Sequence, residues 1–392
     1  MTGRLSRKDK RLAFIDIGHG TLRMLVTNSD ELEASAYEAP CLGLAKGKII
    51  DPSAFSTSIS QLLKSANISG DGLRVIVSVP TLHTRIIRRT IEHRCSGHYR
   101  STDYQSLHDA AIDSCSSELD EVVDVLLTQA WLDQKSIDPL SFGHQGRNLR
   151  AQALLATHPK TLLADIISCM NSVGLEVSEF RSGFFGLFRA VFALRPGIEN
   201  AVLIDVGHST TSGVMIIGGS AQQVFSVGAG SHHITKDLAV GLGVETAEAE
   251  LTKRQVGVSL ENGGSNFSKF IRPRVAELFA LSLKHFAIYA KALDGGLMFC
   301  GGGSQLPGFS SFSEKAMGVP SPFICNLSNK SAAAFLDMKV TTNSTRIDSS
   351  WLAILAHARF RHEEEAVRRF ERESGPLAKL RPLWTWLSEL SR

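Results

Sequence analysis

Paired cysteines are missing from this chain. The six present (Cys41, Cys95, Cys115, Cys169, Cys300 and Cys325) lie far apart with no CxxC. That pattern argues against a zinc site and a disulfide framework and fits a reducing cytoplasm. An excess of one charge is lacking too: 42 Lys and Arg face 39 Asp and Glu, a net +3, so no bulk basic signature exists and no nucleic-acid partner is expected. No apolar run approaches the roughly 18 residues of a membrane-spanning helix, and the first residues carry no apolar signal core. Residues 1–11 form instead a short basic arm, read as solvated, with an acidic membrane surface as the lesser alternative. Histidines cluster at 83, 93, 98 and 108, but none pair at i, i+4 with a third ligand, so spacing does not predict a metal there.

What is present is an ordinary soluble composition, 43% hydrophobic and 21% charged, over 392 residues, long enough for at least two domains. The chain is organised around Ala201-Val-Leu-Ile-Asp-Val-Gly-His-Ser-Thr-Thr-Ser-Gly-Val-Met-Ile-Ile217. Two apolar runs flank a tip of Asp205, Gly207, Ser209 and Thr210, which predicts a β-hairpin. Such a tip can wrap a phosphate with backbone N–H groups and hydroxyls while its Asp holds a hydrated Mg²⁺. Alone it reads more readily as an ordinary hairpin turn, since short glycine-rich matches are common. Residues 12–26 repeat the design, however, with Asp16, Gly18, His19, Gly20 and Thr21 between apolar strands. Two copies imply two similar lobes facing one ligand. A third glycine stretch, Gly301, Gly302, Gly303 through Gly308, follows another apolar run, where bare backbone can admit a flat ring.

Between these motifs the periodicity predicts a helix over 53–66 with Phe55, Ile59, Leu62 and Leu63 inward, and a buried strand over 73–79. Residues 81–158 read as a separately folded insertion of strand 85–91, helix 102–115 and strands 122–132 and 149–156. A helix over 161–172 buries Leu162, Leu163, Ile166, Ile167 and Met170 and is followed by Gly174 and a strand over 176–180; an apolar helix then carries Phe184, Phe185 and Phe188. Residues 358–374, dense in Arg and Glu, read as a solvated linker or an exposed helix. In the last residues, behind Pro382, Leu383, Trp384, Trp386, Leu387 and Leu390 fall on one helical arc. That face suits a membrane interface; docking on the protein's own core is the alternative.

The hairpin, hairpin and glycine turn resemble the phosphate-1, phosphate-2 and adenosine motifs of the actin, Hsp70 and sugar-kinase superfamily. Val227-Gly-Ala-Gly-Ser-His-His-Ile-Thr-Lys-Asp-Leu-Ala and the following Ala-Glu-Leu-Thr-Lys, with Pro273-Arg-Val-Ala-Glu277 and Asp138-Pro-Leu-Ser-Phe-Gly, resemble the FtsA family of bacterial cell-division proteins over most of the chain. The resemblance implies an α/β, actin-like two-lobed ATPase fold of duplicated RNase H-like domains with an inserted 1C-type α+β subdomain and a C-terminal amphipathic helix. Its boundaries here are lobe I (1A) at 12–80 and 159–197, 1C at 81–158, lobe II at 198–360 with 2B at about 231–293, a charged linker at 361–376 and the membrane-targeting helix at 377–392.

By the same resemblance Asp16 and Asp205 hold Mg²⁺ through water, and Gly18, Gly20, Thr21, Gly207, Ser209 and Thr210 line the phosphates of ATP. Glu250 and Lys253 reach the ribose, unless they are a plain surface ion pair, and Gly301, Gly302 and Gly303 bed the adenine. The family's phosphate-1 lysine is missing, with Arg23 as its substitute, and Ser212 stands where phosphate-2 has a carboxylate, so at most slow hydrolysis is expected. Implied partners are FtsZ, further copies in a polymer, inner-membrane lipids and later divisome membrane proteins. The implied location is peripheral, on the cytoplasmic face of the inner membrane at the division septum, where the Z-ring assembles. A PilM-like adaptor of pilus assembly and a small-molecule kinase are the rival readings on this fold.

Overall fold

The computed structural model describes residues 11–374, apart from 29–30, 72, 116, 259–266, 287–294, 320–321 and 343–344. Residues 1–10 of the basic arm and the amphipathic segment at 377–392, with Leu383, Trp384, Trp386, Leu387 and Leu390, lie outside the described residues, while Arg11, expected in the arm, opens the first strand. The described chain divides into two compact units, one of residues 11–83 with 162–358, the other of 84–161 with 359–374.

The first unit holds two sheets of one design. In the first, β1 (Arg11–Ile17), β2 (Thr21–Asn28) and β3 (Glu33–Pro40) form an antiparallel meander. A small hairpin, β4 (Leu44–Ala45) and β5 (Lys48–Ile49), leads to α1 (Pro52–Ala66). Asp51 caps α1 by accepting the Ala54 N–H at 3.0 Å, Pro52 opens it, and Asn67 ends it in the left-handed region. Its inward face is the expected one, Phe55, Ile59, Leu62 and Leu63 all being buried. Strand β6 (Leu73–Val79) then runs parallel to β1 on the far side from β2.

The second unit interrupts here. Strands β7 (Arg85–His98), β8 (Asp120–Leu132), β9 (Lys135–Ile137) and β10 (Gln145–Pro159) form a sheet in the order β7-β10-β8-β9, covered by α2 (Ser101–Asp113). Tyr99, Leu107 and Ala111 pack on Val125, Leu127, Ala151 and Leu155 to make its core. Strand β7 runs seven residues past its expected end at Ile91, because β10 is long enough to pair with its polar half.

The first sheet resumes with α3 (Lys160–Ser172), then β11 (Leu175–Ser182) parallel to β6, then α4 (Gly183–Leu194). Helix α3 buries Leu163, Ile166, Cys169 and Met170. Ile167, expected inward, is 37% exposed; it lies about 100° on from Ile166, beyond the buried arc, and Cys169 takes the inner place.

The second sheet repeats the first. Strands β12 (Ala201–Val206), β13 (Thr211–Ile217) and β14 (Ser220–Val227) form the meander. After α5 (Ser231–Leu242), α6 (Thr246–Val256) and α7 (Ser268–Phe286), β15 (Leu297–Cys300) joins β12 in parallel. Then α8 (Phe309–Met317) leads to β16 (Phe323–Ile324), parallel to β15. The orders β3-β2-β1-β6-β11 and β14-β13-β12-β15-β16 are equivalent strand for strand. Helix α9 (Asn329–Leu336) returns the chain to the first sheet, where β17 (Lys339–Thr342) pairs parallel with β3. Helix α10 (Leu352–Ser374) closes the described chain; of the two readings left open for 358–374, the helix is the one observed.

Candidate functional site

Equivalent strands bring equivalent residues to one place. At the end of β1, Asp16 lies opposite Arg23 on β2 and beside Ser78 on β6. At the end of β12, Asp205 lies opposite Ser212 on β13 and beside Cys300 on β15. Buried strands carry these carboxylates to a half-buried place, where the Asp16 side chain keeps 20% exposure. Burial raises the Asp16 carboxyl above its ordinary value, with Arg23, 3.6 Å away, pulling back. Asp205 is pushed up to about 6, by burial first and then by the Asp16 charge, against which Arg23 and a hydrogen bond from the Cys300 thiol act in part. The Asp16 charge thus acts on Asp205, and the Arg23 charge favours the ionised form of both carboxyls. Arg23 also lies 6.0 Å over the Trp351 ring. Its charge is already engaged by Asp16, so a phosphate would compete with Asp16 for it.

The hairpin tips meet as well. A Cβ on Gly20 would lie 2.8 Å from the His208 ring, so only glycine lets the first tip lie against the second. His208 stacks on His232 with ring centroids 4.6 Å apart, and its pKa is lowered by desolvation, then by His232 and Lys253. Gly18 and Thr21 bound the first turn, and His19 ties it to the β4–β5 turn by accepting the Gly47 N–H at 2.7 Å. In the second turn Gly207 donates its N–H to the Thr210 carbonyl at 2.9 Å, with Ser209 between them. The first turn of α5 docks on this tip, Ser231 and His232 donating to the Gly207 and His208 carbonyls at 2.9 and 2.8 Å.

Glu250 and Lys253 are brought to this end of the molecule, but not as a surface pair. Lys253 is 3% exposed, and its ammonium donates to Glu250 Oε2 at 2.7 Å, Thr235 Oγ1 at 3.0 Å and the Ser231 carbonyl at 3.2 Å. All three of its hydrogens are used. Burial works against the Glu250 charge, yet the hydrogen bonds from Lys253 and Thr235 hold its carboxyl down to about 2. Lys253 thus positions Glu250 rather than presenting a free amine to a ligand.

The glycine turn is divided. Gly301 has φ +84, and a Cβ there would strike the Asp205 carboxylate. Gly303 is pressed on Val206 and Ser231, and Gly302 has open space above it. Of the three glycines, Gly302 offers the bare surface, while Gly301 is glycine because Asp205 needs the room. Ser212 is 2% exposed and shares hydroxyl contacts with Thr81 at 2.6 Å and Ser226 at 3.1 Å. Sequence reasoning missed Cys300, Thr235 and Trp351. The β12–β15 register could have found Cys300, which immediately precedes the glycine turn.

Two sheets of one strand order, each ending its first strand in an aspartate at a shared site, define the actin-like class of two-lobed α/β proteins. Among solved structures the PilM-PilN type IV pilus biogenesis complex is similar at TM-score 0.59 and 18% identity, over 89% of this chain and 98% of that one. MreB5 of Spiroplasma citri bound to ADP is similar at TM-score 0.50 and 11% identity, over 92% and 98%.

Within that class the chain is similar to the FtsA family: the family model "Cell division protein FtsA" matches residues 202–347. Cell division protein FtsA of Bacillus subtilis (strain 168) is 24% identical over 220 residues, half of this chain and half of that protein. That of Neisseria meningitidis serogroup B is 20% identical over 347 residues, 81% of this chain and 84% of that one. The chain thus spans about half the length of the first relative and most of the second. No helix among the described residues is long and apolar enough to cross a membrane.

Proposed function

We propose that this chain is an actin-like cell-division protein that holds Mg-ATP between its two lobes, polymerises, and tethers FtsZ to the cytoplasmic face of the inner membrane, where later divisome proteins gather. The observation that carries the nucleotide reading is the opposition of Asp16 and Asp205 at equivalent strand ends, both carboxyls raised by burial. Two desolvated carboxylates sharing one arginine fit a hard cation held through its waters, which would relieve their repulsion. The tips around Gly18, Gly20, Thr21, Gly207, Ser209 and Thr210 would then receive the phosphates, with Arg23 as their cation. Glu250 would face the ribose, and Gly302 the base.

Hydrolysis is expected to be slow. Ser212 offers no carboxylate to orient an attacking water, and its hydroxyl is already occupied by Thr81 and Ser226. Support for the nucleotide also comes from MreB5, described as bound to ADP, and support for the division role from the FtsA-named relatives. Membrane attachment rests on the sequence of 377–392. Calorimetry with Mg-ATP tests the site: Asp205→Ala should weaken binding strongly, and equal affinity in variant and wild type would remove the cleft assignment.

A further inference from the structure

The second unit contains a cluster that the nucleotide reading does not use. His93 and Cys95 are two residues apart on β7, so their side chains leave the same face of the strand. Asp103, the third residue of α2, meets them there, its Oδ1 lying 2.8 Å from His93 Nε2. The imidazole nitrogen, thiol sulfur and carboxylate oxygen all lie within 4.8 Å of one another, the one such grouping of three among the described residues. Cys95 is 4% and Asp103 8% exposed, whereas the His93 side chain is 28% exposed.

We propose that His93, Cys95 and Asp103 form a divalent-metal site of the zinc class, with water completing the coordination on the His93 side. A thiolate with an imidazole selects zinc over magnesium or calcium. Tetrahedral ligands at about 2.0–2.3 Å from zinc stand roughly 3.3–3.8 Å apart, so closing this cluster needs side-chain shifts of about 1 Å and no movement of the strand.

The second carboxylate oxygen is already held. Asp103 Oδ2 accepts the Arg100 N–H at 2.9 Å, which fixes the carboxylate and leaves Oδ1 for the metal, as outer-shell partners do in zinc sites. His93 Nε2 faces the acceptor Asp103 Oδ1 and so carries the ring's hydrogen in the metal-free form; on binding, the neutral ring moves that proton to Nδ1 and gives the freed Nε2 lone pair to the metal, while the Cys95 thiol releases its proton to the buffer, one proton per metal. The ion would staple β7 to the start of α2. Without it, the same three residues form a hydrogen-bonded helix cap and nothing more.

The whole 392-residue chain, stripped by chelator, is titrated with Zn²⁺ by calorimetry in buffers of different ionisation enthalpy and with Co²⁺ by absorption. One equivalent should bind, releasing one proton, and Co²⁺ should give a thiolate charge-transfer band in the near ultraviolet. Cys95→Ser should abolish that band and weaken Zn²⁺ by more than about 100-fold, beyond the 10–100-fold typical of an outer-shell change. Asp103→Asn keeps an acceptor for the Arg100 N–H, and therefore the cap, but should also lose affinity. Circular dichroism checks that each variant is folded, and Mg-ATP affinity should not move in either. Absence of Zn²⁺ binding by the folded wild type, or an unchanged band in Cys95→Ser, would overturn the proposal.

Discussion

Replacing Asp205 by asparagine should make the nucleotide-free protein more stable, although it damages the site. The carboxyl is raised from 3.8 to about 6 by burial and by Asp16, so its charged form is disfavoured in the folded state. For a carboxyl raised in this way, the penalty is in full force above about pH 6 and disappears as pH falls below 3.8. At about 1.4 kcal/mol per pH unit, the penalty at pH 8 is at most about 3 kcal/mol. The asparagine is isosteric and uncharged, but its amide pairs less well with the Cys300 thiol, at a cost of about 1 kcal/mol. Asp205→Asn should therefore gain about 2 kcal/mol at pH 8 and nothing at pH 4. Urea midpoints of both proteins at the two pH values measure this. A variant no more stable than wild type at pH 8, or a gain that persists at pH 4, would show that the carboxylate is not held against its own charge.

Other expectations follow from the same contacts. Lys253→Met should destabilise by about 3 kcal/mol, at the lower end of the range for breaking a buried pair, since Arg254 still reaches Glu250 at 2.8 Å; denaturant unfolding at pH 7 reads it. Because the Glu250 carboxyl is held down to about 2, its contribution is present above about pH 4.5 and lost as pH falls through 2, which an acid titration of wild type against Glu250→Gln would reveal. Gly301→Ala, at φ +84 and against Asp205, should cost more than about 1 kcal/mol and abolish Mg-ATP binding; calorimetry on the folded fraction separates the two effects. Changing Trp384 and Trp386 together to Glu should release the protein from anionic liposomes in a pelleting assay while ATP affinity stays constant, and continued pelleting would point to the basic arm instead.

Both hairpins were legible because strand alternation, a terminal Asp and a glycine turn are local signals, and their repetition carried the two-lobed architecture. The face of α1 was legible for the same reason, set by the spacing of Phe55, Ile59 and Leu62. What could not be read was set by partners distant in sequence. Lys253 looks like a solvent-facing lysine beside Glu250 until α5 brings Thr235 and Ser231 over its ammonium. The polar half of β7 has no strand pattern of its own and is extended by pairing with β10. His93 and Cys95 escaped a search for helical i, i+4 ligands because they sit on a strand, where residues two apart share a face, and their third neighbour arrives from the next helix. Gly301 reads as a ligand bed by its company of glycines, yet the neighbour that requires it is Asp205, almost a hundred residues earlier.

The parallel pairing of β17 with β3 has a consequence for synthesis. Glu33 and Lys339 close that seam with an ion pair at 2.9 Å, and Ser35 meets Thr341 at 2.8 Å. A ribosome delivers β3 at the beginning and β17 only after more than three hundred residues, so the outer edge of the first sheet waits, unpaired and open to the wrong neighbour, through most of translation. The first lobe cannot be completed before the second has been made. A nascent chain arrested just before β17 emerges should carry an exposed edge that binds chaperones or other stalled copies, and supplying the missing strand in trans should silence it.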